Sequence, residues 1–164
     1  MHLNYLTSKG DDMKTKEVLN LLIKNQYTIT FAESMTGGNL VASLTKNPGA
    51  SKVLNQSYVL YSKEAKNQVL NIHIKDEPIV SEKVALMMVK GLKEKHADDV
   101  LVSITGNAGP STQEKGILEA YIAITIKDKT YTYHLSFKEN NRSLNIEETT
   151  DFTYEKLYQL LKEN

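Results

Sequence analysis

The chain has 164 residues, equal numbers of basic and acidic side chains, and no cysteine. The length holds one ordinary domain and not two, and the missing cysteine excludes disulfides, thiolate nucleophiles, Cys-bound zinc and iron–sulfur clusters. The cancelled charge, with a pI near 6.9, argues against a dedicated nucleic-acid binder. The apolar share of 40% is ordinary for a globular protein. No apolar run approaches the ~18 residues of a membrane span. The first residues, MHLNYLTSKGDDMK, lack the basic start and apolar centre of a signal peptide. A cytoplasmic protein with no membrane or nucleic-acid partner is expected.

Residues 1–12 read as a short leader and 13–164 as one domain. Met13–Asn25 carries apolar residues at helical spacing. Tyr27–Ala32, rich in β-branched and aromatic residues, reads as a buried strand that runs into Glu33-Ser34-Met35-Thr36-Gly37-Gly38. A helix from Gly38 to Lys46 is stopped by Asn47-Pro48-Gly49. A turn near Ser51–Gln56, a strand at Tyr58–Tyr61 and a helix at Ser62–Leu70 follow, with Ser62 as its N-cap. Ser81 caps an amphipathic helix to Lys95. Asp99–Thr105 is a second buried strand, leading into the loop Gly106–Gly116. Leu118–Ile126 and Thr130–Phe137 form a hairpin about Lys127-Asp128-Lys129, and the tail from Ser143 to Lys162 is helical. Mixed alternation with one hairpin indicates an α/β fold, a three-layer α/β/α sandwich with a mixed sheet.

Two strand-end loops are small, polar and glycine-bearing: ESMTGG after the first strand and TGNAGPST after the Asp99–Thr105 strand. Such loops gather ligands beyond the carboxyl ends of strands in open α/β sheets, though plain tight turns have the same composition. In SYVLYSKEAK, hydroxyl residues adjoin Lys66. A serine needs a base to become a nucleophile, and a lysine serves if burial depresses its pKa. Most lysines in such a chain are simply solvated. The four histidines are scattered, with no metal-ligand spacing. Arg142 is the only arginine, so a guanidinium fork is available at one place: a surface residue, or a clamp for phosphate or carboxylate.

Five segments in order, FAESMTGG (31–38), NPGAS (47–51), YSKEAK (61–66), VSEKVA (80–85) and ITGNAGP (104–110), together resemble the C-terminal domain of the CinA competence/damage-inducible family. That family includes stand-alone nicotinamide mononucleotide (NMN) deamidases. The resemblance covers about residues 13–160. It implies a metal-free, cofactor-free amidohydrolase that converts NMN to nicotinate mononucleotide and ammonia in pyridine nucleotide recycling. A homodimer or higher homo-oligomer is the base-rate expectation for a small enzyme and is consistent with the family.

Carried over by position, the resemblance marks Ser34, Ser51, Tyr61, Lys66, Thr105, Gly106 and Arg142. Ser51 is the first choice of nucleophile, because its expected turn could bring it near Tyr61 and Lys66, which would handle the proton. Ser34 is the close second. In the first case Ser34 and the Thr36, Gly37 and Gly38 backbone would stabilise the oxyanion or hold substrate. Thr105, Gly106 and Arg142 would hold the ribose phosphate. The chain departs from the family pattern at Met35 (cysteine in the family), Lys63 (asparagine), Leu118-Glu119 (Gly-Thr) and Asn140-Asn141 (Gly-Asp). An acidic Glu119 near the phosphate would repel it. The alternative is therefore a non-catalytic nucleotide- or partner-binding descendant linked to competence or stress. An amidase for another small amide is a third reading.

Overall fold

The buried run Ile29–Glu33 becomes β1, a strand of a five-stranded sheet, and everything at the site is placed relative to it. The structure, a computed structural model, describes residues 9–111 and 117–164. In chain order the elements are α1 (Lys9–Asn25), β1 (Ile29–Glu33), α2 (Asn39–Thr45), a 3-10 turn (Ala50–Lys52), β2 (Tyr58–Val59), α3 (Lys63–Leu70), α4 (Glu82–Lys95), β3 (Val100–Asn107), β4 (Glu119–Ile126), β5 (Lys129–Ser136) and α5 (Arg142–Glu163). The sheet order is β2-β1-β3-β4-β5. β2, β1 and β3 run parallel, and β4 and β5 continue the sheet antiparallel. The sheet is mixed, as expected.

Alternation along β1 divides the core in two. Ile29 and Phe31 point to a layer formed by α1, α2 and α5, with Val18, Leu22, Leu40, Leu44, Tyr154 and Leu157. Ala32 points to the other layer, with Leu60 and Leu70 beside α3, and Val84, Met88 and Leu92 on α4. β3 and β4 supply both layers, because they are covered on both faces. Their burial is accordingly near-continuous rather than alternating. The hairpin turns at Lys127, whose positive φ of 55° is what the tight connection requires.

Element boundaries differ from the sequence reading mainly at α1 and β2. α1 starts at Lys9, so part of the expected leader is helical; residues 1–8 lie outside the described ones. β2 is two residues long because the chain leaves the sheet at Leu60 to start the turn into α3. Both serine caps form: the Ser62 hydroxyl accepts from Ala65 N at 3.0 Å and Ser81 from Val84 N at 3.2 Å. No described helix is long and apolar enough to cross a membrane.

α3 and α4 meet at Gly91, where a Cβ would stand 2.7 Å from Leu70 O and 2.9 Å from Leu70 Cβ and Ile72 Cγ2. Alanine is the better helix former by about 1 kcal/mol, but overpacking against backbone costs about 1–3 kcal/mol. Gly91→Ala is therefore expected to lower the urea midpoint, with the net loss on the order of 1 kcal/mol. An unchanged or raised midpoint would mean that the helices separate freely there.

Candidate active site

Three segments leave the carboxyl ends of adjacent parallel strands and converge. Ser34 directly follows β1. Tyr61–Lys66 carries the chain from β2 into α3. Thr105–Ala108 closes β3. Parallel pairing of Ala32 with Ser103 sets the Ser34 loop beside Thr105.

Glu33 and Ser34 face opposite sides of the sheet. Glu33 is fully buried. Its Oε1 accepts from Thr36 Oγ1 at 2.7 Å and Leu40 N at 2.9 Å, and its Oε2 accepts from Val41 N at 3.0 Å. Leu40 and Val41 lie in the first turn of α2, whose amide groups otherwise lack helical acceptors. The carboxylate thus caps α2 from the strand and holds the intervening loop. Gly37 and Gly38, with φ of 60° and 99°, turn the chain back into the helix.

On the other face Ser34 meets Lys66. Lys66 has no exposed surface. Its Nζ lies 2.9 Å from Ser34 Oγ and donates to Leu60 O at 2.9 Å and Tyr61 O at 3.1 Å. Among the described residues no carboxylate pairs with it. Burial lowers its pKa from 10.5 to about 8. A neutral amine has two hydrogens and one lone pair. With the hydrogens on the two carbonyls, the lone pair is left facing the Ser34 hydroxyl, which is the arrangement a general base requires.

Ser34 opens onto a cavity of about 280 Å³ lined also by Met35, Tyr61, Ser62, Lys63, Ile79, Val80, Thr105, Gly106, Asn107, Ala108 and Arg142. Two cations and no carboxylate are among these side chains. Arg142, the first residue of α5, donates from Nη2 to the Tyr61 phenol at 2.6 Å and from Nη1 to Gly109 O. Lys63 donates to Lys75 O at 3.0 Å.

Of the residues singled out in the sequence, the structure brings together Ser34, Lys66, Tyr61, Thr105, Gly106 and Arg142. It does not bring in Ser51. Ser51 is exposed in the 3-10 turn, and the chain just after it pairs with the start of β1, where Ile29 N donates to Val53 O at 2.9 Å. Ser34 follows the far end of that strand. Four residue steps of strand separate the two ends by about 13 Å, so the expected approach of Ser51 to Lys66 is corrected. Thr36, Gly37 and Gly38 line a separate depression with Asn39, Ala42, Ser143, Ile146 and Glu147, and the Thr36 hydroxyl is committed to Glu33. The Thr105 hydroxyl is likewise committed, to Ile79 O at 2.8 Å, so Thr105 shapes the wall rather than offering a donor.

The CinA C-terminal domain profile matches residues 11–161. The chain belongs to the CinA C-terminal domain family. A putative competence-damage inducible protein of Clostridium botulinum (strain Kyoto / Type A2) is 34% identical over 153 residues, covering 88% of this chain and 37% of the relative. A CinA-like protein of Dictyoglomus turgidum is 37% identical over 141 residues, covering 83% and 33%. The chain thus spans about a third of the length of these curated relatives. Among solved structures, a CinA superfamily protein from Klebsiella pneumoniae superposes with a TM-score of 0.88 at 26% identity, over 94% of this chain and 99% of that one. One from Escherichia coli superposes with a TM-score of 0.87 at 29% identity, over 98% and 99%.

Within this CinA domain the departures from the family pattern now have places. Met35 is buried, and its sulfur lies where a Cβ on Gly106 would stand, at 2.2 Å. The longer side chain fits because position 106 has none. Glu119 does not line the cavity. Its Oε2 accepts from Tyr121 OH at 3.2 Å and lies 2.7 Å from His134 Nε2 on the β4–β5 face. Its carboxylate is committed to these two partners, and Glu119 pairs with Asn107, which does line the cavity. Asn141 caps α5, accepting from Leu144 N at 3.2 Å, and Asn140 donates to Pro110 O at 3.1 Å. Residues 112–116 of the altered loop lie outside the described ones. Among the described residues no group of three or more His, Asp or Glu is placed to hold a metal ion.

Sequence reasoning missed three contributors. Glu33 stood in the quoted motif, and a carboxylate at the end of a buried strand was a readable signal. The Leu60 and Tyr61 carbonyls carry no side-chain signature. Asn145, buried on α5, donates to Ala108 O at 3.0 Å and Glu139 O at 2.9 Å, securing the second loop. Nothing in its surroundings in sequence marks it.

The buried lysine links stability to pH. The unfolded chain holds the Lys66 proton up to 10.5 and the folded one only to about 8. Between these values the unfolded state binds more protons, so raising the pH favours folding; below about 8 the burial penalty is present in full. Lys66→Met removes this titration. Relative to that variant, the native protein is expected to gain on the order of 2–3 kcal/mol between about pH 8 and 10.5, read by urea denaturation. A pH-independent difference would show that Lys66 keeps its proton throughout.

Proposed function

We propose that this CinA domain is a serine amidohydrolase acting on the nicotinamide amide of NMN or a closely related nucleotide amide. The observation that carries the reading is the buried Lys66 amine 2.9 Å from Ser34 Oγ, with two carbonyls taking its hydrogens. The polarity of the cavity supports the substrate class, because Arg142 and Lys63 line it without an acidic side chain.

In this mechanism Ser34, rather than Ser51, is the nucleophile. Neutral Lys66 takes the Ser34 proton as Oγ adds to the amide carbonyl carbon. The tetrahedral adduct collapses, the C–N bond breaks, and the proton passes from Lys66 to the departing nitrogen, which leaves as ammonia. Water then attacks the acyl-enzyme and gives a proton to Lys66. Lys66 returns it to Ser34 as the carboxylate product departs. Arg142 holds the phosphate end and the Thr105–Ala108 segment forms the opposite wall. No step calls for a metal or cofactor.

Ammonia release from NMN and a panel of related amides tests the reading. Ser34→Ala is expected to lower kcat roughly a thousandfold or more, and Ser51→Ala to leave it within about twofold, since Ser51 touches nothing at the site. The rate should rise with pH through about 8, as Lys66 loses its proton, and then level. Normal turnover in Ser34→Ala would overturn the assignment. Binding of NMN with no turnover of any amide would favour a nucleotide-binding protein instead.

A further inference from the structure

Tyr61 is held at both ends by the two functional halves of the cavity. Its main-chain oxygen accepts from Lys66 Nζ at 3.1 Å, and its phenol accepts from Arg142 Nη2 at 2.6 Å. The residue is 62% exposed, so packing holds the side chain little. The bond to Arg142 holds it. Arg142 in turn spends its other terminal nitrogen on Gly109 O. Two of the guanidinium's five N–H groups, one on each terminal nitrogen, are thus held by neutral oxygens, one of them belonging to a side chain that lines the same cavity as Ser34.

A charged acceptor outcompetes a neutral one on guanidinium, since charge-assisted hydrogen bonds are roughly twice as strong. We infer that the Arg142–Tyr61 bond is an anion-operated latch. The anionic end of the substrate, a phosphate monoester, takes Arg142 Nη2 and releases the phenol. The freed phenol turns into the shared cavity toward Ser34 and relays the proton from Lys66 Nζ to the leaving nitrogen. The hydroxyl gives its proton to the nitrogen and regains one from Lys66, so Tyr61 ends unchanged. This inference rests on the amidohydrolase reading but adds a distinct consequence. A clamp that holds phosphate equally in ground and transition states improves binding alone, whereas the latch makes the bound phosphate raise kcat through the Tyr61 hydroxyl, the contribution that Tyr61→Phe isolates.

The test compares NMN with its dephosphorylated nucleoside, each with and without inorganic phosphite as a detached anion. The native protein, Tyr61→Phe and Arg142→Gln are assayed for ammonia release. The same proteins are assayed for labelling of Ser34 by a small sulfonyl fluoride. In that labelling the Ser34 oxygen gains the sulfonyl group, Lys66 takes the proton, and the freed phenol assists the departing fluoride. Tyr61→Phe removes one hydroxyl from a largely exposed residue, so folding is not at issue.

The nucleoside kcat is expected about tenfold or more below that of NMN, and phosphite is expected to raise it several-fold. In Tyr61→Phe both effects vanish, while the KM for the nucleotide stays below that for the nucleoside because Arg142 still holds phosphate. Arg142→Gln loses both the kcat and the KM advantage. Labelling of the native protein should accelerate with phosphite and that of the two variants should not. Equal kcat for nucleotide and nucleoside, with the difference confined to KM, overturns the latch and leaves the amidohydrolase reading intact. A phosphite effect that survives in Tyr61→Phe overturns it too. Phosphite-dependent labelling without turnover of any amide keeps the latch and removes the amidohydrolase reading. Absence of both labelling and turnover removes both.

Discussion

A lysine amine enclosed by protein, with only neutral oxygens for company, is the interaction on which the site depends. Moving an ammonium out of water without a carboxylate partner is unfavourable, and the group responds by giving up its proton more easily. The cradle of Leu60 O, Tyr61 O and Ser34 Oγ then decides what the neutral amine does. Two carbonyls can only accept, so they take the two hydrogens and leave the lone pair for the one partner that can donate. A carboxylate in either carbonyl's place would restore the ordinary lysine pKa and remove the base. The site is thus built on what has been kept away from Lys66 as much as on what touches it.

That cradle exists because of how the chain leaves the sheet. β2 stops after two residues, and the Leu60–Tyr61 carbonyls curl over the first turn of α3, where Lys66 points back toward them. Ser34 arrives from the neighbouring strand on the same face. The residue before it, Glu33, holds α2 on the opposite face, so that one dipeptide pins a helix on one side and presents the Ser34 hydroxyl to Lys66 on the other. The buried charge of Glu33 is met by amide donors at a helix start, where the dipole favours an anion. The Ser34 loop and the helix cap are therefore one mechanical unit, and movement of α2 would be felt at Ser34.

Much of the fold was legible in the chain, because strong local signals agreed with the tertiary result. The β-branched runs at Ile29–Glu33 and Val100–Asn107, the serine caps at Ser62 and Ser81 and the hairpin at Lys127 all act within a few residues of themselves. The candidate site was legible as a set of residues but not as an arrangement. Ser51 and Ser34 both sit in small-residue turns, and the turn expected at Ser51 favoured it as the partner of Lys66. Parallel strands reverse that inference. The stretch from Ser34 to Tyr58 is a crossover that must return to the start of the sheet before β2 can run alongside β1. Residues midway along it, Ser51 included, are thereby delivered to the wrong end. Local spacing carries no trace of this, and only the strand direction does.

The same reasoning bears on the substituted positions. Met35 and Gly106 come from different strand-end loops, yet the sulfur of one fills the space a Cβ of the other would need. The end of the longer side chain at position 35 is therefore taken up against Gly106, while Met35 remains part of the cavity lining. Glu119 is drawn sideways into a stacked pair, since Tyr121 and His134 lie 4.5 Å apart with their donors on its carboxylate. The strand alternation of β4 already turns it to the α4 side. Asn140 and Asn141 take up loop-holding and helix-capping bonds that place Arg142 at the cavity. Of the departures, Met35 and Lys63 line the cavity, while Glu119, Asn140 and Asn141 make their bonds in the scaffold around it. The groups gathered at the cavity keep a consistent electrostatic logic: the Ser34 hydroxyl rests on the buried Lys66 amine, Arg142 adds a positive charge to the lining, and Tyr61 joins the two.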